Sequence, residues 1–192
     1  MGSPGDLASQ ATAQEPTSGH DRDPVTQSAL VAASGDPVAQ AAFVRLTQAE
    51  LWRLIAALTE PAVADDLTQE TYLRAFRALP SFQARSAART WLFGIARRVC
   101  ADHVRAVVRR RRLDVLLRRR APADRSPDPA SSVTAADLLQ RLPLERRTAM
   151  VLTQMIGMSY QEAAAIEGVP VGTIRSRVAR ARSQLIEIIE AG

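Results

Sequence analysis

The chain has 192 residues, enough for one ordinary domain or two small ones, and carries a net charge of +5. All 25 basic residues are arginine, whose rigid donor fork suits phosphate and guanine, although the missing lysine and abundant alanine fit a GC-rich genome even better. A single cysteine, Cys100, excludes an intramolecular disulfide framework; with only His20 and His103 beside it no zinc site is expected, and no apolar run approaches the roughly 18–20 residues that span a bilayer.

Residues 1–23 are acidic and rich in Ser, Gly, Pro and Gln, with neither a basic start nor an apolar stretch. They are not a signal peptide and read as a disordered tail, drawn as far as residue 25, on a reduced, cytoplasmic protein without a membrane partner. Beyond the tail the pattern is helical almost throughout, and no run of alternating β-branched residues suggests a sheet. Leu51, Leu54, Ile55 and Leu58 recur at i, i+3, i+4 and i+7, the mark of one apolar helix face. Pro61 interrupts, and a second helix is predicted over about 63–79. Asp66, Gln69, Glu70, Leu73 and Arg77 share one side of it, while Leu67, Thr71, Tyr72, Ala75 and Phe76 fill the other. Asp65 and Asp66 in its first turn are explained on sequence alone as charges complementing the helix dipole.

A loop over 80–88 leads into a third long helix from about Arg89. Leu92, Ile95, Ala96 and Val99 point inward along it, whereas Arg98, Arg105 and Arg109 project at i, i+7 and i+11. From Arg97 to Arg120 there are ten arginines and two aspartates, a local charge of +8 within a chain of +5. Charge concentrated in this way is the footprint of nucleic-acid binding. Trp91 reads first as core, Cys100 as a small buried filler and His103 as an ordinary helix residue.

Residues 121–132 carry three prolines with Asp and Ser, an extended linker composition, and the linker is drawn over 113–132. The helical pattern resumes from about Val133 to Glu190. Ser159 and Glu162 form an S-x-x-E capping box, so a helix is predicted from Tyr160; Gly168 supplies a turn and Pro170 suits the first turn of the next helix. Two helices joined by so short a glycine turn form a helix-turn-helix. In the second of them Ile174, Val178, Ala181, Leu185 and Ile188 make a buried stripe, and Thr173, Ser176, Arg177 and Arg180 lie on another face near the N-terminus, the part that enters a major groove. Arg175 and Arg182 flank that face as phosphate contacts. The fold class is therefore all-α, two small helical bundles joined by a flexible linker, with boundaries at 26–112 and 133–192.

Taken together these segments resemble the extracytoplasmic-function sigma factors of the σ70 family, over roughly residues 26–188. Asp65 through Thr71 look like the family's region 2.2, and Thr90-Trp91-Leu92 to Asp102-His103 like regions 2.3 and 2.4. Leu142-Pro143 through Arg182 look like region 4, above all Ser159 to Ala164 and Pro170 to Arg177. The stretches 86–92 and 171–182 look nearest to the actinobacterial sigma C branch. The resemblance implies that Asp65, Asp66, Gln69, Glu70, Leu73 and Arg77 face core RNA polymerase, with the β′ clamp helices as the dock. It implies that Ser81, Phe82, Arg89, Trp91, Arg97, Arg98, Arg105 and Arg109 serve the −10 element, an unstacked base being captured by the 80–88 loop. Region 4 would read the −35 element through Thr173, Arg175, Ser176, Arg177, Arg180 and Arg182 and touch the β flap. Apolar surface in both domains suits an anti-sigma factor. No cofactor, metal, small-molecule substrate or catalysis belongs to this reading. One departure stands out: Arg97-Arg98 occupy a place where the family often carries acidic or asparagine residues.

Two rival readings are open on sequence. A helix-turn-helix regulator acting without polymerase gives no role to the acidic helix, and a nucleic-acid enzyme would have only Asp102 and Tyr72 for its chemistry.

Overall fold

The computed structural model describes residues 23–118 and 134–191. Every regular element among them is helical. Helix α1 (Pro24–Ala32) takes in the last two residues of the expected tail, because Asp23 caps it by accepting Thr26 N–H at 3.0 Å and Pro24 sits at its first position. The Thr26 hydroxyl in turn accepts the buried N–H of Ala88 at 2.9 Å, which pins α1 to the start of α4. Gly35, at φ +88°, turns the chain into α2 (Pro37–Leu58), again entered through an Asp cap and a proline. Leu51, Leu54, Ile55 and Leu58 are fully buried together with Phe43, as their spacing requires.

A short 3₁₀ turn (Pro61–Val63) leads into α3 (Ala64–Ala78), and a second one (Leu79–Ser81) ends it at Pro80. Helix α4 (Ala88–Arg118) is the longest element and buries Leu92, Phe93, Ala96, Val99 and Cys100. It carries straight through the first residues assigned to the linker; the rest of that linker, residues 119–132, lies outside the described residues together with residue 133, as do residues 1–22 of the tail.

The second bundle comprises α5 (Ala135–Gln140), α6 (Leu144–Met150), α7 (Tyr160–Glu167) and α8 (Val171–Glu190), with a π-helical turn (Val151–Met155) extending α6. Ser159 and Glu162 form the expected reciprocal capping box, with the Ser159 hydroxyl accepting Glu162 N–H at 3.2 Å and Glu162 Oε2 accepting Ser159 N–H at 2.8 Å. Gly168 ends α7 at φ +65°, a left-handed cap. Pro170 occupies the N-cap of α8 rather than its first turn, since its extended backbone lets Val171 begin the helix.

The two bundles do not stand apart. Helix α7 packs along α4, and α5, α6 and the π turn pack on α2, so one apolar core runs from Phe43 and Leu54 through Phe93 to Leu142, Leu152 and Ile174. Arg147, buried in α6, fastens the seam: its Nη1 donates to Leu58 O at 2.8 Å and to the Gln140 side chain, and its Nη2 to Gln140 O at 2.8 Å and Leu142 O at 3.1 Å. The planar fork thereby satisfies carbonyls left open at the ends of two helices. Burial pulls the pKa of this guanidinium below its ordinary value.

Candidate nucleic-acid and polymerase interfaces

Helix α3 presents the face that its periodicity predicts. Asp65, Asp66, Gln69, Leu73 and Arg77 are exposed and Glu70 is half-buried, while Thr68, Thr71, Tyr72 and Ala75 are buried. Two of the acids are already engaged. Asp65 Oδ1 accepts the indole N–H of Trp52 at 2.8 Å, and Glu70 holds Arg74 at 2.7 Å. Arg74 reaches on to Asp102 at 3.2 Å, which also accepts Arg105 at 2.6 Å. The hydrogen bond from Arg105, seconded by that from Arg74, lowers the Asp102 pKa. A carboxylate so occupied braces α3 against α4 and is no free acid for chemistry. The face left open to a partner is Asp66, Gln69 and the apolar Leu73, 53% exposed.

The loop between α3 and α4 folds into a small pocket. Phe82 and Trp91, both half-buried, lean together with ring centroids 5.0 Å apart. With Ser81, Gln83, Arg85 and Ser86 they line a cavity of about 180 Å³. Ala84, inside this loop, holds φ at +49°, a left-handed backbone that an alanine adopts only where its surroundings impose it. The cavity offers a flat aromatic wall and polar groups at its rim, the means by which single unstacked bases are gripped.

The arginines expected to serve the −10 element fall into two groups. Arg98, Arg105 and Arg109 are exposed on α4. Arg89 and Arg97 turn inward. Arg89 forms a bidentate pair with Glu50 (2.7 and 3.1 Å), donates to Ile156 O at 3.1 Å across the seam, and covers the Phe93 ring at 5.4 Å. Arg97 binds Glu167 at 2.8 Å. Helical periodicity gave the side of the helix but carried no information on which distant acid would pack there.

Helix α8 buries Ile174, Val178 and Ala181, with Leu185 and Ile188 partly covered. Arg175, Ser176, Arg180 and Arg182 are exposed and Thr173 and Arg177 half-buried, so the six expected −35 residues lie along one accessible end of the helix. Arg182 donates to Gln154 at 2.6 Å and Arg177 to Glu167 at 2.7 Å. Glu167 is the residue that sequence reasoning missed. It is a lone acid at the end of the apolar run Ala163 to Ile166, with a fully buried side chain held between arginines of two bundles. Nothing local distinguishes it from a solvated turn residue.

Among the described residues no group of His, Cys, Asp and Glu is placed to hold a metal, and no helix is long and apolar enough to cross a membrane. Comparison with known proteins gives the arrangement its family. Residues 43–112 match the Sigma-70 region 2 model and residues 133–185 the Sigma-70 region 4 model. The ECF RNA polymerase sigma factor SigC of Mycobacterium tuberculosis (strain CDC 1551 / Oshkosh) is 48% identical over 171 residues, 86% of this chain and 91% of the relative. Among solved structures, CnrH in complex with the cytosolic domain of CnrY superposes with a TM-score of 0.66 at 27% identity, covering 88% of this chain and 99% of that one. The sigma factor RpoE of Bartonella quintana, solved with the anti-sigma factor NepR, gives 0.59 at 30% identity over 77% and 94% of the two chains. The acidic face of α3, the aromatic pocket before α4 and the arginine-bearing helix-turn-helix thus find their common explanation: this chain belongs to the extracytoplasmic-function (ECF) RNA polymerase sigma factors.

Proposed function

We propose that this chain acts in the cytoplasm, binds the β′ clamp helices of core RNA polymerase through α3 and divides promoter recognition between its two bundles. The boundaries at 26–112 and 133–192 follow the functional division, although α4 runs six residues beyond the first. The observation that carries the assignment is the coexistence, on one small chain, of an open acidic and apolar face on α3 with a basic recognition helix on α8. A regulator binding duplex DNA alone has no use for the first, and the −35 readout needs the second.

In this reading Thr173, Ser176, Arg177 and Arg180 address base edges of the −35 duplex in the major groove, and Arg175 and Arg182 hold phosphates. The Phe82–Trp91 pocket, with Ser81 at its rim, receives one unstacked base of the −10 strand. Arg98, Arg105 and Arg109 track the adjoining backbone, with Arg89 and Arg97 joining them once freed. Unstacking a base step costs on the order of a few kcal/mol, which the pocket offsets by stacking and polar contacts. The protein forms and breaks no covalent bond; it acts by binding the opened promoter more strongly than the closed one. Region 4 also meets the β flap. An anti-sigma partner fits apolar surface contributed by both bundles: a groove of about 340 Å³ between α2 and α5, lined by Trp52, Ala56, Leu139, Met155 and Ile156, supports it.

Footprinting of the assembled holoenzyme on a responsive promoter tests the division of labour. Protection of the −35 element together with single-strand reactivity at −10 is expected. Protection without any strand opening would remove the role given to the Phe82–Trp91 pocket.

A further inference from the structure

Helix α4 outruns the bundle in which it starts. Its first turns are buried, but every residue from Val108 to Val115 is exposed, so the helix goes on for two turns with no packed face. Burial of an apolar face is what ordinarily holds such a segment. Charge does not replace it. Residues 105–115 hold five arginines and one aspartate, and Arg105, Arg109 and Arg112 succeed one another at i+4 and i+3, where like charges repel along a helix. The helix dipole favours cations near a C-terminus and offsets part of that repulsion. Acids offset little more. Arg105 pairs with Asp102, and Arg111 with Glu60 at 3.6 Å, while no described residue pairs with Arg98, Arg109, Arg110 or Arg112.

The arginines are sorted by face. At about 100° per residue, Arg98, Arg105, Arg109 and Arg112 fall within about 60° of one another and form a row about 21 Å long, whereas Arg110 and Arg111 lie on other sides of the helix. Single strands are gripped by basic side chains interleaved with aromatic rings, yet no Phe, Tyr or Trp occurs from Ile95 to Arg118. Nor does an amide or hydroxyl side chain accompany the arginines over 105–115 to widen a readout of bases. A row of guanidinium groups with neither companion suits the regularly spaced phosphates of a duplex.

We propose that the outer half of this row, Arg109 and Arg112, grips the phosphate backbone of the double-stranded spacer upstream of the −10 element, without reading its sequence. The inference rests on the sigma-factor reading above and deepens it. Helix α4 begins at the Phe82–Trp91 pocket given to the unstacked base, and Arg112 lies about 31 Å further along its axis, the length of about nine base-pair steps. From the end of α4 the chain passes on to the bundle assigned to the −35 element, so this end of the helix is the upstream one. One helix thus meets single strand at its aromatic end and duplex at its arginine end, on either side of the point where the strands part. Phosphates there also relieve the repulsion within the row.

The test uses holoenzyme assembled from core polymerase and the full chain. The chain is taken as wild type, as Arg109→Gln with Arg112→Gln, and as Arg110→Gln with Arg111→Gln. Both pairs remove two exposed charges from the same turns of helix and no packed side chain, but only the first pair belongs to the row. Affinity for a promoter duplex is measured across a salt series, beside affinity for a single-stranded oligonucleotide that carries the −10 element with no duplex upstream. The row pair is expected to bind the duplex about tenfold or more weakly at low salt, and to flatten the slope of log affinity against log salt by about 2, one for each phosphate lost. The other pair is expected to change that slope by about half as much or less. On the oligonucleotide all three chains are expected to bind alike. A deficit that persists there would put the row on the single strand, and one that varies with spacer sequence would make it a reader of bases. Equal deficits in the two pairs would reduce it to diffuse charge, and weaker assembly of the row pair with core would assign it to polymerase. Each of these outcomes overturns the grip. Core-dependent run-off by the wild-type chain is recorded in parallel: its absence refutes the sigma-factor reading, whereas its presence with an unresponsive row pair refutes the grip alone.

Discussion

Arg180 offers the least complicated test of base reading in the molecule. It is exposed on the same face as Arg177, and no described residue pairs with it, so its replacement disturbs no internal contact. Arg180→Ala is expected to lower discrimination at one position of the −35 element by about 1–3 kcal/mol, the worth of a bidentate contact to guanine. Competition binding with single-base variants of the element measures it, and a loss uniform over all sequences would reassign Arg180 to phosphate. Cys100 makes a different claim at the same scale. Burial in the α4 core pushes its thiol from an ordinary 9.0 up to about 12. The thiol is therefore expected to resist alkylation at neutral pH until the chain unfolds, as mass spectrometry across a denaturant series would show. The sign of the linkage follows. Between about pH 9 and pH 12 the unfolded chain gives up this proton while the folded chain keeps it, so the contribution to stability is full below 9 and is lost as pH rises through that window.

At the scale of elements, the caps of the helix-turn-helix and the face of α3 carry the predictions. Ser159→Ala removes half of the capping box of α7 and is expected to cost about 1 kcal/mol, read as a lower melting temperature. Gly168→Ala meets open space, so its penalty is that of the left-handed backbone alone, about 1–2 kcal/mol. On α3, Asp66 is exposed and no described residue pairs with it, whereas Glu70 braces Arg74. Asp66→Ala combined with Glu70→Ala is expected to weaken co-purification with core enzyme while leaving the helical circular dichroism unchanged. Normal co-purification would move the polymerase contact elsewhere. The legibility of these elements divides along the same line. Ser159, Glu162 and Gly168 could be read directly because capping chemistry is decided within four residues, and the α3 faces because periodicity sorts them. Glu167, Arg147 and the inward turn of Arg89 could not, because each is decided by a partner at least 39 residues away in sequence: Arg97, Leu58 and Glu50. An arginine row reads alike whether it meets DNA, solvent or a buried acid.

For the whole molecule, composition and pattern foretold two helical bundles and a linker, and the family matches fall on those two segments. What they did not foretell is that the bundles share one core, since binary patterning marks which residues are buried and not against which bundle. The shared core places both sets of residues proposed to read the promoter on one compact body. The assignment is open to a direct test: run-off transcription by purified bacterial core RNA polymerase on a library of promoter DNA, with and without this chain. Transcripts that begin at discrete sites only when the chain is present, and whose templates share a −35 and a −10 element, are the expected result. Transcription unchanged by the chain, despite specific binding of the chain alone to duplex DNA, would contradict the account at its centre.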